Sequence, residues 1–164
     1  MSRWLAAGAA LCAVALLVME AAALTITTAA ISFPGVSLDG EPHIVDGSTS
    51  AWRADAVGET GGWKVTVAST DLSSGSGKTI AVSNFEIRLL DTNIVWVSGD
   101  TNEPTSTQTT FTALSGTALK IASAALGQGN GVYDLTPEFC LTVPAETYAG
   151  GYTATVTVDI SAGP

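Results

Sequence analysis

GYTATVTVDIS, residues 151–161, is the stretch that decides the fold. Apolar and polar side chains alternate along it, with the apolar set at Tyr152, Ala154, Val156, Val158 and Ile160. Successive side chains of a β-strand point to opposite faces, and β-branched residues favour strands. The pattern therefore predicts a half-buried strand that closes a sheet.

The same two-residue period recurs in several short stretches along the chain. The clearest are residues 24–33 (LTITTAAISF), 63–67 (WKVTV), 85–89 (FEIRL) and 138–143 (EFCLTV), with turn signals rich in Gly, Pro, Ser and Asp between them. Residues 111–125 leave two alternatives, a short helix or a strand at 117–123, of which we favour the strand. Short strands with almost no helical period predict an all-β fold, an Ig-like antiparallel β-sandwich in a single domain.

Residues 1–23 have the layout of a secretory signal peptide. Arg3 supplies a positive start, residues 4–19 form an apolar run, and Ala21 to Ala23 give a small-residue cleavage signal. The run is shorter than the roughly 20 residues that span a bilayer, although a retained anchor is the alternative. We expect cleavage near Leu24, which leaves a secreted β-sandwich of residues 24–164 with no membrane segment.

The charge balance bears on the class of partner. Six basic residues against fifteen acidic ones give a net charge of −9. Proteins that bind nucleic acid or anionic lipid neutralise phosphate with Lys and Arg, so this balance argues against both. A soluble surface protein fits the balance better.

Cysteine usage excludes an internal disulfide framework after signal removal, because Cys140 is then the only cysteine. Its alternation with Phe139, Leu141 and Val143 places it on the opposite face of a strand. We expect a packed free thiol there, with an intermolecular crosslink as the alternative.

The residue types that carry catalysis or bind metals are sparse. His43 is the only histidine and has no serine motif near it, which argues against a nucleophile with a histidine base. Zinc would need clustered Cys and His residues. Stretches beginning at Asp91 and Asp100 hold oxygen donors that a calcium ion could use, but we interpret them as turn formers. We expect no enzyme activity, cofactor or metal.

Three tryptophans remain after signal removal. Trp63 shares a face with Val65 and Val67, so we expect it in the core. Trp96 has valines on both sides, and we expect it to be buried as well. Trp52 lies in a thin apolar pattern beside Arg53, and we predict an exposed ring that could contact a ligand.

Three segments together resemble the WxL-type cell-surface domains of Gram-positive bacteria, and more closely a divergent set of similar secreted proteins. They are LTITTAAISFPGVSLDG (24–40), GGWKVTVASTDLSSGSGKTI (61–80) and VPAETYAGGYTATVTVDISAGP (143–164). The resemblance implies non-covalent attachment to the cell wall through peptidoglycan. It places the first family motif at Trp63-Lys64-Val65, with Val for Leu, and makes Trp63 and Val65 binding residues. The second falls at Val158-Asp159-Ile160, which lacks the tryptophan.

These observations lead to two functional expectations. The first is a secreted, non-catalytic cell-surface protein that binds a cell-wall polymer or other surface proteins. The alternative is a filament or pilus subunit that self-associates by strand addition. Its exchanging segment would be the amino-terminal strand, through Leu24, Ile26, Ile31 and Phe33.

Overall fold

A computed structural model of the chain describes residues 24–164, so the predicted signal peptide lies outside the described residues. The part described is nearly all β, with 3-10 turns at Val82–Asn84 and Asp91–Asn93. The strands are β1 (Thr25–Thr27), β2 (His43–Gly47), β3 (Trp52–Asp55), β4 (Trp63–Ser69), β5 (Leu72–Ser73), β6 (Thr79–Ile80), β7 (Phe85–Arg88), β8 (Ile94–Gly99), β9 (Thr105–Ser106), β10 (Thr112–Ala113), β11 (Leu119–Ala124), β12 (Gly131–Leu135), β13 (Glu138–Val143) and β14 (Val156–Ala162). None of its helices is long and apolar enough to cross a membrane.

The first layer consists of two antiparallel sheets, with strand orders β1-β3-β12-β8 and β10-β7-β13-β2. The two are continuous along the chain, because β3 pairs with β12 at Trp52↔Leu135 and β2 pairs with β13 at Gly47↔Phe139. The chain bends between β12 and β13 at Pro137, which has no backbone N–H for the ladder. β12 accordingly ends at Leu135 and β13 begins at Glu138.

The second layer has the strand order β14-β4-β11-β9. β14 pairs antiparallel with all of β4, from Ala162↔Trp63 to Val156↔Ser69, and lies at the edge. The predicted carboxy-terminal strand is thus confirmed over Val156–Ala162. Residues 151–155 lie outside the strand, and they make the isolated bridge Thr153↔Ser73 and hydrogen bonds between Thr155 and Thr70. The strand interpretation of 117–123 is also confirmed, since β11 lies between β4 and β9.

The core fills the space between the two layers. Inward side chains of β4, namely Trp63, Val65 and Val67, are completely buried. The Trp63 ring lies 6.1 Å from that of Tyr133 in the first layer, measured between centroids. Burial of each large apolar side chain contributes roughly 1.5–3 kcal/mol, which explains why the alternating stretches determine the layers. The predicted all-β sandwich is confirmed.

Trp52 does not have the exposed ring that we predicted. Its side chain is 1% exposed and packs against Phe139, with the ring centroids 5.9 Å apart. The prediction was wrong because β3 lies inside the first layer, between β1 and β12. The apolar alternation around Trp52 is weak because its inward neighbours are the small residues Ala54 and Ala56, both fully buried.

The prediction for Trp96 was wrong in the opposite direction. Its side chain is 44% exposed, and Val95 and Val97 beside it are exposed too. β8 is an edge strand that pairs only with β12. Trp96 lies opposite the buried Tyr133 in the register, but no further strand from residues 24–164 pairs with the free edge of β8.

Cys140 is a free, buried thiol, as predicted. It pairs in register with Asp46 on β2 and Glu86 on β7, and therefore faces away from the core side chains of β13. Burial raises the pKa of this thiol, and the carboxylates of Glu86 and Asp46 raise it further. The thiolate, which is the reactive form, is therefore disfavoured.

Candidate functional site

An open groove of about 790 Å³ lies between residues 31–38 and residues 147–152. The buried side chains of Leu72, Ile80, Leu141 and Val143 complete its lining. Its volume lies in the range of roughly 300–1,000 Å³ that is usual for ligand sites. We call it the aromatic groove, after the rings of Phe33, Tyr148 and Tyr152 that line it.

The first wall of the aromatic groove is the segment between β1 and β2. Backbone hydrogen bonds of 2.9 and 2.8 Å between Ser32 and Ser48 hold it against the first layer. Phe33 then packs edge-on against Phe85, with ring centroids 5.6 Å apart. Gly47 makes this approach feasible, because a Cβ atom there would lie 2.6 Å from the Phe33 ring. Phe33 is half-buried as a result.

The second wall is the turn that leads to β14. Tyr152 donates a hydrogen bond from its hydroxyl to the Tyr148 carbonyl oxygen at 3.0 Å. The bridge Thr153↔Ser73 ties the end of this turn to the β5–β6 hairpin. Tyr148 remains 60% exposed, so its ring is available to a ligand.

Charged side chains lie beside one end of the aromatic groove. The ammonium group of Lys78 lies 3.8 Å from the centroid of the Tyr148 ring, in a cation–π contact. Lys78 and Glu146 line a smaller concavity of about 280 Å³ that shares Tyr148 and Tyr152 with the aromatic groove. The tyrosines therefore separate an apolar part from a part with one cation and one carboxylate.

The lining of the aromatic groove has no side chain of Asp, Glu, His, Lys, Arg or Cys. The hydroxyl groups in the lining belong to Ser, Thr and Tyr residues, and a hydroxyl nucleophile normally needs an adjacent base to activate it. Aromatic faces, aliphatic side chains and hydroxyl groups offer contact area and hydrogen bonds instead. The arrangement is suited to binding.

The residues that the family resemblance implied for binding lie elsewhere. Trp63 and Val65 are both 0% exposed, in the first half of β4. The Trp63 indole N–H donates a 2.8 Å hydrogen bond to the Gly129 carbonyl oxygen inside the protein. Neither side chain offers surface to a ligand in this conformation.

The residues named for strand exchange fall into two pairs. Leu24 and Ile26 belong to the β1 region, where Ile26 pairs with Ala54 of the same chain. Ile31 and Phe33 line the aromatic groove. All four are partly buried against the core.

The remaining polar candidates serve local structure. The ring of His43 lies 2.9 Å from the Asp39 carboxylate, and the Glu41 backbone N–H and His43 together lower the pKa of Asp39. Asp100 accepts a hydrogen bond from the Asn102 backbone N–H at 3.0 Å, and Asp91 accepts one from Ser106 at 2.7 Å. Asp100 therefore bonds the backbone of its own turn as expected, whereas the Asp91 carboxylate bonds a backbone N–H fifteen residues further along the chain. No group of three His, Cys, Asp or Glu residues suited to a metal occurs between residues 24 and 164.

The sequence interpretation missed Tyr148 and Lys78 as site residues. Tyr148 precedes Ala149-Gly150-Gly151, and Lys78 ends a Gly- and Ser-rich loop. A large aromatic side chain beside small, flexible residues is a signal for an exposed ring, because such loops lie at the surface. Nothing local links the two loops, which meet only through the fold.

The chain shows little similarity to known proteins. No protein-family model and no curated protein matches the chain. One solved structure that it resembles is a family 123 glycoside hydrolase from Clostridium perfringens, studied for glycolipid glycan hydrolysis, with a TM-score of 0.40 and 13% identity. The likeness covers 74% of this chain and 19% of that enzyme, so the chain spans about a fifth of its length. A likeness at this level carries no argument about activity.

Proposed function

We propose that this chain is an exported, non-catalytic cell-surface protein that binds an extended cell-wall polymer, such as peptidoglycan, in the aromatic groove. The observation that carries the proposal is an open groove with the exposed Tyr148 ring and with no carboxylate, imidazole, amine, guanidinium or thiol side chain in its lining. The signal-peptide pattern and the resemblance to WxL-type domains support the cell-surface location.

Retention on purified cell walls tests this proposal. We expect the protein to be retained more strongly than an unrelated acidic secreted protein. Tyr148→Ala removes an aromatic contact of about 1 kcal/mol, so we expect roughly fivefold weaker retention. Leu126→Ser is the matched control, because Leu126 is 77% exposed and does not line the groove. Equal retention of the protein and the unrelated acidic protein would contradict wall binding.

A second candidate is a filament subunit that exchanges its amino-terminal strand. The observation in its favour is the short pairing of β1, which covers three residues at a sheet edge. The same residue pairs with β3 would form if β1 came from a neighbouring copy. Exchange of this strand would therefore cost little free energy. Negative-stain images should show fibres that disappear when residues 24–33 are deleted. Uniform monomeric particles at high concentration would eliminate this candidate.

A further inference from the structure

Both walls of the aromatic groove are segments whose backbone is not paired with a strand. Residues 33–38 of the first wall and residues 148–152 of the second lie outside all the strands. The backbone–backbone hydrogen bonds of the described chain stop at Ser32 before the first segment and begin again at Thr153 after the second. Within both segments, the backbone N–H and carbonyl groups have no backbone partner in residues 24–164. Such groups need partners from solvent or from a ligand.

The side chains of the aromatic groove offer little to a sugar. Its lining includes no Asp, Glu, Asn, Gln, Lys, Arg, His or Trp residue, so hydroxyl groups are its only polar side-chain groups. Two of these already make hydrogen bonds within the protein, Ser32 with the Ser48 hydroxyl at 3.2 Å and Tyr152 with the Tyr148 carbonyl oxygen. A sugar ring carries several hydroxyl groups, and burying each one without a partner costs free energy.

An extended peptide matches the aromatic groove better than a sugar does. Each peptide residue brings one N–H and one carbonyl group, which the unpaired backbone of residues 33–38 can bind, as in the addition of a strand. The side chains of an extended peptide alternate between the two sides of its backbone. One set can therefore contact the apolar side chains of the lining, of which Leu38 is 39% exposed and Tyr148 60%.

The smaller concavity at the end of the groove adds two uncompensated charges. Lys78 and Glu146 both line it, and none of the three ion pairs between residues 24 and 164 involves either of them. The Lys78 ammonium group lies over the Tyr148 ring, 3.8 Å from its centroid. An ammonium group has three N–H donors, so it keeps donors for an anion of the ligand. Charge complementarity favours a ligand end with one carboxylate and one cation.

We propose that the aromatic groove binds an extended apolar peptide that ends in a basic residue with a free carboxylate group. The peptide backbone binds to residues 33–38, the terminal carboxylate to Lys78 and the basic side chain to Glu146. This role rests on the proposed wall binding, of which it is the finer form. The peptide portion of the wall polymer, rather than its sugar portion, occupies the groove.

Titration calorimetry of the purified chain with the peptide acetyl-Val-Ala-Val-Ala-Lys tests the proposal. We expect binding at low salt that weakens as added salt screens the charges at the peptide end. The same peptide with a terminal carboxamide should bind about threefold more weakly, which is the scale of a solvent-exposed charge contact. N-methylation of its two valine amides should weaken binding by at least about fivefold, because it removes backbone hydrogen-bond donors.

Substitutions at the charged end separate a direct contact from a change in the fold. Lys78→Met should weaken binding of the carboxylate peptide about threefold and affect the carboxamide peptide less. Lys120→Met is the matched control, because Lys120 lies on β11 and lines neither concavity, and it should bind both peptides like the unmodified chain. Glu146→Gln should weaken binding of the peptide with lysine more than that of an analogue in which norleucine replaces the lysine.

Three results would overturn the proposal. One is a chain that does not bind the peptide, and another is a Lys78→Met variant that loses as much affinity for the carboxamide as for the carboxylate. The third is competition by soluble glycan strands freed of peptide, since the sugar portion would then occupy the groove. Retention on purified cell walls separates this proposal from wall binding. Retention without peptide binding removes the peptide ligand and leaves wall binding standing, whereas peptide binding without retention supports the peptide site and contradicts wall binding.

Discussion

β4 and β8 are two strands with similar local sequences and opposite surroundings. Each contains a tryptophan among valines, at Trp63 and Trp96, yet the first is 0% exposed and the second 44%. β4 lies between β14 and β11, while β8 has β12 on one side only. The alternation determines which face a side chain occupies, and the position of the strand in its sheet determines whether that face is covered.

The largest effect that this comparison predicts is for Trp63→Ala. The substitution removes a fully buried indole and its hydrogen bond to Gly129. We expect a loss of about 3–5 kcal/mol in the free energy of unfolding, measured by urea denaturation. A loss below about 1 kcal/mol would show that β4 is not central to the core.

A pair of conservative substitutions sharpens the role of the indole N–H. Trp63→Phe leaves the Gly129 carbonyl oxygen without its donor. In contrast, the buried Trp52 Nε1 has no hydrogen-bond partner in the described structure, so Trp52→Phe removes an unsatisfied donor. We expect Trp63→Phe to destabilise the fold by about 1–3 kcal/mol more than Trp52→Phe in the same denaturation assay. Equal losses would contradict this assignment.

The turn that leads into β8 should respond to pH. Glu138 accepts hydrogen bonds from Arg88 at 2.8 and 2.6 Å and from the Asn93 side chain at 2.9 Å. The Arg88 bonds lower the pKa of Glu138, against the opposing effect of burial. This contribution is complete above the unfolded-state pKa of about 4.5 and is lost as the pH falls through the lower folded-state value.

Glu138→Gln measures this contribution. Because both side chains of the pair are about one-third exposed, we expect less than about 1 kcal/mol. The variant should reduce the loss of thermal stability between neutral and acidic pH. An unchanged pH profile would show that the pair does not stabilise the turn.

The smallest effect is expected for Trp96→Ala. Its ring is 44% exposed at the free edge of β8, so the free energy of unfolding should change by only about 0.5 kcal/mol. Circular dichroism melting of the diluted protein measures it. A loss as large as that of Trp63→Ala would remove the contrast between the two strands.

The sequence predicts where the strands lie better than it predicts which strands are neighbours in a sheet. Two-residue alternation located β4, β7, β13 and β14, because it reflects a local property of the backbone. The burial of Trp52 and the exposure of Trp96 depend on which strands lie beside β3 and β8, and that order is set by pairing between distant residues. The aromatic groove depends on similar long-range contacts, among them Thr153 with Ser73 and Phe33 with Gly47. Loop composition alone does not encode them.

The shielded thiol of Cys140 has a practical consequence. It is the only cysteine between residues 24 and 164, and it is 7% exposed on the central strand β13. An alkylating reagent can reach its sulfur at an appreciable rate only after a local movement that uncovers this part of β13. The labelling rate of this one atom therefore reports how often the middle of the bent layer opens, independently of the fraying of its edges.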